Sequence, residues 1–505
     1  MKYWLGIDIG TGGSRALLVK ADGTVACGVT AAHEDILMHR PLWAEQRPED
    51  WWSAACQATH EVLAKAGVRG DEIAGIGLSG QMHGLTLLDS SDEVVRPALI
   101  WCDQRSQDQV DWINAKVGAA TVLEQTANPV LTGFTAPKLL WVRDHDPESY
   151  DRTRRMLLPK DYIRFCLTGE YVSEVSDASG TALFDVVGRR WATPLIDSLG
   201  IDSSILPEVV ESPALAGRVS AVAAEKTGLV QGTPVVGGGG DQAASAVGNG
   251  IVESGLVSCT IGTSGVVFSH LDEAAYDPDG RVHTFCHAVP GKWHVMGVTQ
   301  GAGLSLQWFR NHLATSLAAE AAERGSDIYD LLTNEAAQVP AGSEGLLWLP
   351  YLMGERTPHL DPFARGGWIG LTAKHTRAHL VRSILEGVAY SLNDCLAIIE
   401  SLGAEVAAVR GSGGGAKSAV WRRILAGVFR KPIATLQTQE GSAYGAALLA
   451  LVGTGEYGSV EEACRSVIVE QGREDPDPSL QSVYEDGYHT FRAAYPALRG
   501  LFPQM

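Results

Sequence analysis

The sequence predicts an α/β fold in two related domains with a cleft between them, and three observations carry that prediction. Strand-like and helix-like segments alternate along the chain, the pattern of sheets covered by helices. Two distant segments, Gly6-Ile7-Asp8-Ile9-Gly10-Thr11-Gly12-Gly13-Ser14 and Ile261-Gly262-Thr263-Ser264-Gly265, repeat one design, an apolar strand entering a turn of glycines and hydroxyls. The 505 residues also exceed what one core accommodates, since domains cluster at roughly 100–200 residues.

From Tyr3 the apolar run reads as a strand, followed by the glycine turn, a second strand over Ser14–Val19, a turn at Asp22-Gly23 and a third strand from Thr24. Asp-Gly between two apolar runs is a hairpin signal, because both residues tolerate the left-handed conformation a tight turn requires. Trp51–Ala66 has a helical pattern, and Pro48, Glu49 and Asp50 before it suit a helix N-terminus. Ile73–Leu78 is a strand that opens into Ser79-Gly80-Gln81-Met82-His83-Gly84, and Leu85–Leu88 resumes as strand. Thr233–Val236 is a strand that runs into Gly237-Gly238-Gly239-Gly240-Asp241 and then an Ala-rich helix, Gln242–Val247. The first domain is expected to span 1–245 and the second 246–505.

The second half repeats the logic with strands Leu256–Ile261 and Val266–Ser269 across the second turn. Helices follow at Leu304–Ala314 and at His379–Leu402, where Leu380, Ile384, Val388 and Leu392 mark one apolar face. A strand at Val406–Val409, the loop Gly411-Ser412-Gly413-Gly414-Gly415 and a helix at Ser418–Val428 form a further strand, glycine loop and helix unit. No low-complexity linker separates the halves, so the hinge should be short and packed.

Composition narrows the classes of function. A net charge of −19 argues against a broad nucleic-acid surface or an anionic membrane face, both of which need clustered Lys and Arg. The N-terminal apolar run ends at Asp8, unlike a signal peptide, and no stretch is long and apolar enough to span a bilayer. Eight scattered cysteines without a Cys-x-x-Cys pair fit reduced thiols in a cytoplasm. The expected partners are small molecules, and a homodimer is compatible with the sequence.

Turns of Gly with Thr or Ser let backbone N–H groups approach an anion, so Thr11, Gly12, Gly13, Gly262, Thr263, Gly414 and Gly415 are candidate contacts to a polyphosphate. One such turn is usually only a turn, but two related copies suggest halves that clamp ATP. Asp8, just before the first glycines, is placed to hold Mg²⁺, directly or through water. Phosphoryl transfer to an alcohol also needs a group that takes the hydroxyl proton. Asp241 is the candidate base; an Asp at a helix start also reads as an N-cap, but a cap needs no approach cleared by four glycines. His83, between Met82 and Gly84, suits an imidazole that hydrogen-bonds a polyol, and equally a structural histidine. Trp101 can act as a platform under the same sugar and Asp103 as acceptor for a hydroxyl, the alternative being a strand-to-helix turn with an N-cap. His283, Cys286 and His287 lack the second ligand cluster that a zinc site needs. Gly354-Glu355-Arg356-Thr357-Pro358 reads as a turn with a local ion pair between Glu355 and Arg356, and no catalytic role is expected there.

Two longer segments, Gly133-Phe134-Thr135-Ala136-Pro137-Lys138-Leu139-Leu140-Trp141-Val142-Arg143-Asp144-His145 and Gly366-Gly367-Trp368-Ile369-Gly370-Leu371 followed by His379-Leu380-Val381-Arg382-Ser383-Ile384-Leu385-Glu386, resemble the two signatures of the FGGY family of carbohydrate kinases. The resemblance covers essentially the whole chain and implies a duplicated actin-like ATPase fold, which is ribonuclease H-like in each half. Gly80-Gln81-Met82-His83-Gly84, Leu42-Trp43-Ala44-Glu45-Gln46, Leu158-Pro159-Lys160-Asp161-Tyr162 and the Leu349–His359 segment are similar to members that act on D-xylulose. The resemblance therefore implies ATP-dependent phosphorylation of D-xylulose to D-xylulose 5-phosphate in pentose catabolism. It implies Asp241 as proton acceptor, Met82 and His83 against the ketose, and Asp8 organising Mg-ATP. It further places Gly262, Thr263, Gly414 and Gly415 at the nucleotide, with Trp308 near the adenine. Gln242 and Cys102 depart from the usual Asn at both positions, which leaves D-ribulose, L-xylulose or glycerol open as substrates. A nucleotide-driven binding protein on the same fold is the alternative of another class; the Met82-His83 loop and the glycine-cleared Asp241 favour the kinase.

Overall fold

In the computed structural model, which describes residues 1–438 and 440–505, the chain builds two seven-stranded sheets with helices packed against them. The first begins as a meander of β1 (Tyr3–Ile9), β2 (Gly13–Lys20) and β3 (Val25–Ala32). Helix α1 (Pro48–Ala66) carries Pro, Glu49 and Asp50 in its first turn, where a missing N–H costs nothing and negative charge meets the positive end of the dipole. It stops at Gly67, whose φ of 65° is the usual left-handed helix end. The chain then returns as β4 (Ile73–Gly80), parallel to β1. After a mainly helical insertion, β5 (Leu215–Arg218) and β6 (Pro234–Val236) complete the order β5-β6-β4-β1-β2-β3, with Gly239-Gly240 as a further rung on β4. Helix α2 (Asp241–Gly248) follows at once.

The second sheet contains β7 (Gly255–Ile261), β8 (Gly265–Leu271), β9 (His283–Cys286), β10 (Trp293–Thr299), β11 (Val406–Ser412), β12 (Ile433–Leu436) and β13 (Glu470–Glu474). Its order is β9-β10-β8-β7-β11-β12-β13. Strand β7 repeats the situation of β1: it is antiparallel to its hairpin partner and parallel to a strand that arrives much later. The duplication read from the two turns is therefore a duplication of topology. Helices α3 (Ala302–Leu313), α4 (Arg377–Ser401) and α5 (Ala419–Phe429) serve this lobe, α4 lying against β8 and β10 with most of its surface buried. The link 249–254 between the lobes is short, and Ile251 and Val252 are buried in it. Among the described residues no helix is long and apolar enough to cross a membrane.

One helix crosses the expected division into 1–245 and 246–505. Helix α6 (Gly441–Gly453) belongs to the second half of the sequence but packs on β1, β4 and α2 of the first lobe. Its Tyr444, Leu448 and Leu451 share one apolar cluster with Trp4, Leu17, Val236 and Val247. The approach is close because glycines face it: a β-carbon on Gly6 would stand 1.9 Å from Ala443 O, and one on Gly445 only 1.8 Å from Ala244 O. The insertion also crosses the divide, since Leu85, Leu139, Leu140 and Ile196 pack with Phe268, Phe285 and Met296 of the second sheet.

The tight contact of α6 with α2 gives a measurable expectation. Gly445→Ala should destabilise the protein by roughly 1–3 kcal/mol, the usual range for overpacking, because the clash is with backbone. Gly500→Ala, whose β-carbon would meet nothing within 4 Å, should leave the urea midpoint unchanged. Equal midpoints for the two variants would refute the close packing of α6.

Candidate active site

The floor of the cleft is set by strand register. Asp8 on β1 lies beside Ser79 on β4, and Ser79 in turn lies beside Gly239, so that Asp241, two residues on, arrives next to Asp8. Gly238 makes the turn with φ of 77°, and a β-carbon there would stand 2.1 Å from Leu78 O, so no other residue fits. The glycine run is held at both ends by a buried charged cluster. Arg164 Nη1 donates to Gly237 O (2.8 Å), and the Gly240 N–H donates to Ser176 Oγ (3.0 Å). Glu174 accepts from Ser176 Oγ (2.8 Å) and Ser212 Oγ (2.9 Å), while Lys160 Nζ lies 2.6 Å from Asp161, 3.4 Å from Glu174 and 3.3 Å from Asp177. From the far side Ser442 of α6 donates to Asp241 O (3.1 Å).

Asp241 is the first residue of α2, and Gly240 takes the N-cap position, so the cap reading of Asp241 does not apply. Burial, and next the charge of Asp8, push the Asp241 carboxyl up to about 7, into the range where a carboxylate accepts a proton and gives it back near neutral pH. Burial raises Asp8 as well, and its Oδ1 is buried without a hydrogen-bond partner. An orphaned carboxylate oxygen facing a second carboxylate fits a hard divalent cation such as Mg²⁺. Among the described residues no three His, Cys, Asp or Glu side chains gather into a metal site, so phosphate oxygens and water would complete the shell.

Backbone donors surround this floor. The N–H groups of Thr11 and Gly12, of Thr263 and Ser264, and of Gly413 and Gly414 meet no carbonyl among the described residues, as expected of turns that await an anion. The first turn is held in shape by Gly10 N–H on Gly13 O (3.0 Å) and by Gln46 Nε2, which donates to Thr11 O (2.8 Å). The second and third turns line a cavity of about 410 Å³ with Gly262, Thr263, Gly303, Gly414 and Gly415. Trp308 does not line it. Helix α3 turns Leu306 and Gln307 to the cavity, and Trp308 stacks instead with Trp348 (5.9 Å) and packs tilted against Trp368 (6.0 Å). Helical periodicity alone could have separated these faces; a lone Trp carries no sign of which it chooses.

On the other side of the cleft stands His83, whose backbone has φ of 68° and whose carbonyl is held by Thr135 Oγ1 (3.1 Å) and Lys138 Nζ (3.0 Å) of the first signature segment. Nδ1–H donates to Gly180 O (2.7 Å), which fixes the tautomer and leaves Nε2 as an acceptor. Burial holds the imidazole down at about 3, so it stays neutral, and its ring stacks on Phe134 at 4.6 Å. Met82 is buried rather than presented to a ligand; a β-carbon on Gly240 would sit 2.9 Å from its Cγ, so it shapes the ground under Asp241. Trp101 is 47% exposed, and its Nε1–H donates to Thr11 Oγ1 (2.9 Å), which ties it to the first glycine turn. Asp103 has another role from the one expected. It is fully buried; its Oδ2 accepts from the Ala44 N–H (2.7 Å) and Arg105 Nη2 (2.7 Å) and its Oδ1 from the Arg105 N–H and Nε (both 3.0 Å), so both oxygens are engaged within the protein. His283, Cys286 and His287 are engaged separately, with Asn128 Oδ1 (3.2 Å), Val186 O (3.3 Å) and Ile251 O (2.9 Å). Gln46 and Gln81 carry no sequence signal of their role; Gln81 Nε2 donates to Gln46 Oε1 (3.0 Å), and the pair braces the first turn.

Comparison with known proteins gives the family independently of the site. Residues 3–248 match the N-terminal domain, and residues 257–454 the C-terminal domain, of the FGGY family of carbohydrate kinases. The chain is 38% identical to the xylulose kinase of Bacillus subtilis, over 98% of this chain and 97% of that one. It is 36% identical to the xylulose kinase of Escherichia coli, over 98% and 99%. A crystal structure of xylulose kinase from Rhodospirillum rubrum superposes with a TM-score of 0.92 at 32% identity, over 99% and 100% of the two chains.

The cavity makes a prediction about Gly414. Its β-carbon would meet nothing within 4 Å, so Gly414→Val should fold normally while standing a side chain in the cavity. Calorimetric titration should show ATP bound at least about ten-fold more weakly, with the melting temperature within about 2 °C of wild type. Unchanged affinity would remove the third turn from the nucleotide site.

Proposed function

The chain belongs to the FGGY family of carbohydrate kinases, and from that premise we propose that it transfers the γ-phosphoryl group of ATP to O5 of D-xylulose, giving D-xylulose 5-phosphate and ADP. The observation that carries this reading is the pair formed by Asp241, a carboxyl raised to about 7 behind a cleared glycine approach, and His83, a neutral imidazole offering an acceptor. A nucleotide-driven binding protein would need the turns but neither of these.

In the proposed reaction Asp241 takes the proton from the O5 hydroxyl as O5 bonds to the γ-phosphorus and the bond to the bridging oxygen of ADP breaks. The proton rests on Asp241 and the electron pair of the broken bond leaves with ADP. His83 Nε2 accepts from a sugar hydroxyl, Trp101 lies under the sugar, and the open N–H groups of the turns hold the phosphates. A bound Mg²⁺ supplies charge neutralisation at the phosphate oxygens, with Asp8 as the residue that would hold it. Most of the acceleration comes from positioning, because the transition state is loose and asks little covalent chemistry of the protein. The eight free cysteines support the further reading of a cytoplasmic enzyme of pentose catabolism. Incubation with Mg-ATP and a panel of D-xylulose, D-ribulose, L-xylulose, D-gluconate and glycerol tests the substrate; a preference for any but D-xylulose overturns it.

Two variants test the division of labour. Asp241→Asn should lower kcat by ~10²-fold or more at saturating substrates, the scale of a lost general base, and extra Mg²⁺ should not restore it. Asp8→Ala should recover part of its activity as Mg²⁺ is raised. Coincident Mg²⁺ titration curves for the two variants would show that the roles are not separate.

A further inference from the structure

The Gly354–Pro358 segment does not form the local ion pair that its sequence suggests. The Glu355 carboxylate accepts from Thr299 Oγ1 (2.6 Å), the Gln300 N–H (2.9 Å) and the Arg356 N–H (2.7 Å), with Ser391 Oγ at 3.3 Å. Its acceptor positions are filled by groups other than the Arg356 guanidinium. Arg105, Arg164 and Arg382, all interior arginines, each bind a carboxylate. Arg356 is only partly exposed, yet its guanidinium has neither a hydrogen bond nor an ion pair among the described residues. The nearby Glu355 charge favours the charged form, but a half-desolvated guanidinium with no hydrogen bond or ion pair of its own is costly unless a ligand completes it.

The neighbouring Thr357 fixes where this cation stands. Its N–H donates to Val298 O (3.0 Å), and its Oγ1 donates to Arg281 O (2.7 Å), which pins the segment between β10 and the start of β9. His283 opens β9 and lies 5.8 Å from Phe134, the ring on which His83 stacks. The charge of Arg356 is felt at both His83 and His283, whereas the neighbours that act on Asp8 and Asp241 do not include it. Arg356 therefore stands on the His83 side of the cleft, away from the carboxylate pair. Lys138, the other cation near His83, is occupied by His83 O and Gly133 O.

We infer that Arg356 is a specificity-determining residue that reaches from the second lobe to the ketose on His83 and donates to its C2 carbonyl and C1 hydroxyl oxygens. The inference rests on the D-xylulose reading above. The chemistry is complementary: His83 Nε2 only accepts, while a guanidinium only donates and presents its donors as a planar fork. A ketose offers a carbonyl acceptor at the end remote from O5; the corresponding polyol offers a hydroxyl that has lost the geometry of the carbonyl. Because Arg356 is on the second lobe and His83 on the insertion of the first, a sugar bound to both also favours approach of the lobes.

The test compares wild type, Arg356→Gln and Arg356→Lys on D-xylulose and on xylitol, its C2-reduced polyol, with the KM for ATP and the urea midpoint measured alongside. Arg356→Gln should raise the KM for D-xylulose roughly 10- to 100-fold, as expected for lost bonds to a charged donor, with the KM for ATP changed less than about two-fold and the ketose-over-polyol preference eroded. Arg356→Lys keeps the charge but loses the fork, and should fall between, which serves if the Gln variant does not fold. An unchanged KM for D-xylulose, or a loss shared equally by ATP and sugar, overturns the inference. If wild type itself ignores D-xylulose, the functional reading fails first and this inference with it; if wild type accepts it and the variants do not differ, this inference alone fails.

Discussion

Asp8 and Asp241 must share the floor of the cleft although each is only partly exposed and the charge of Asp8 disfavours the charge of Asp241. With the Asp241 carboxyl moved from 3.8 to about 7, keeping it ionised above that pH costs the fold on the order of 4 kcal/mol. The cost is absent at acidic pH, where the group is protonated both folded and unfolded, and grows as pH rises toward the folded value. The rest of the architecture supports this repulsion. Register along β1, β4 and Gly239-Gly240 places the two side chains, and the Lys160, Arg164 and Glu174 cluster holds both ends of the glycine turn.

The cluster behind the turn is itself a burial of charge, with Lys160, Asp161, Arg164, Glu174 and Asp177 all inaccessible to water. Such groups add little net stability over apolar residues of similar volume, but breaking one partner strands the others. Here the arrangement fixes a backbone segment that has no side chains of its own to anchor it. Four glycines open the approach to Asp241, and the neighbouring charges supply the rigidity that glycines lack.

Much of the fold was legible because its signals are local. Apolar runs marked β1–β4, β6–β8 and β11, Asp22-Gly23 marked the hairpin, and Leu380, Ile384, Val388 and Leu392 marked α4, whereas β5, β9, β10, β12 and β13 were not marked. The glycine turns at Thr11 and Thr263, the glycine loop at Gly414 and the place of Asp241 at a helix start after four glycines are local patterns too. What was not legible depends on partners distant in the chain. Helix α6 is apolar all round, so no face announces which lobe it covers. Asp103 looks free until Ala44 and Arg105 fold against it, and Trp308 looks like a ligand platform until Trp348 stacks on it and Trp368 packs against it. Glu355 and Arg356, adjacent in sequence, point to different partners because Thr299, Gln300 and Ser391 claim the carboxylate first.

The placement of α6 also bears on synthesis of the chain. A ribosome releases β1 to β6 and α2 with one side of the first sheet bare, exposing Trp4, Leu17 and Val236 until α6 emerges roughly 200 residues later. At ~5–20 residues per second that interval lasts on the order of 10–40 s, long compared with hydrophobic collapse. The amino-terminal lobe is therefore an unfinished body for much of translation, a natural client for chaperones. Truncation before residue 441 would remove a wall of that lobe as well as the tail of the other.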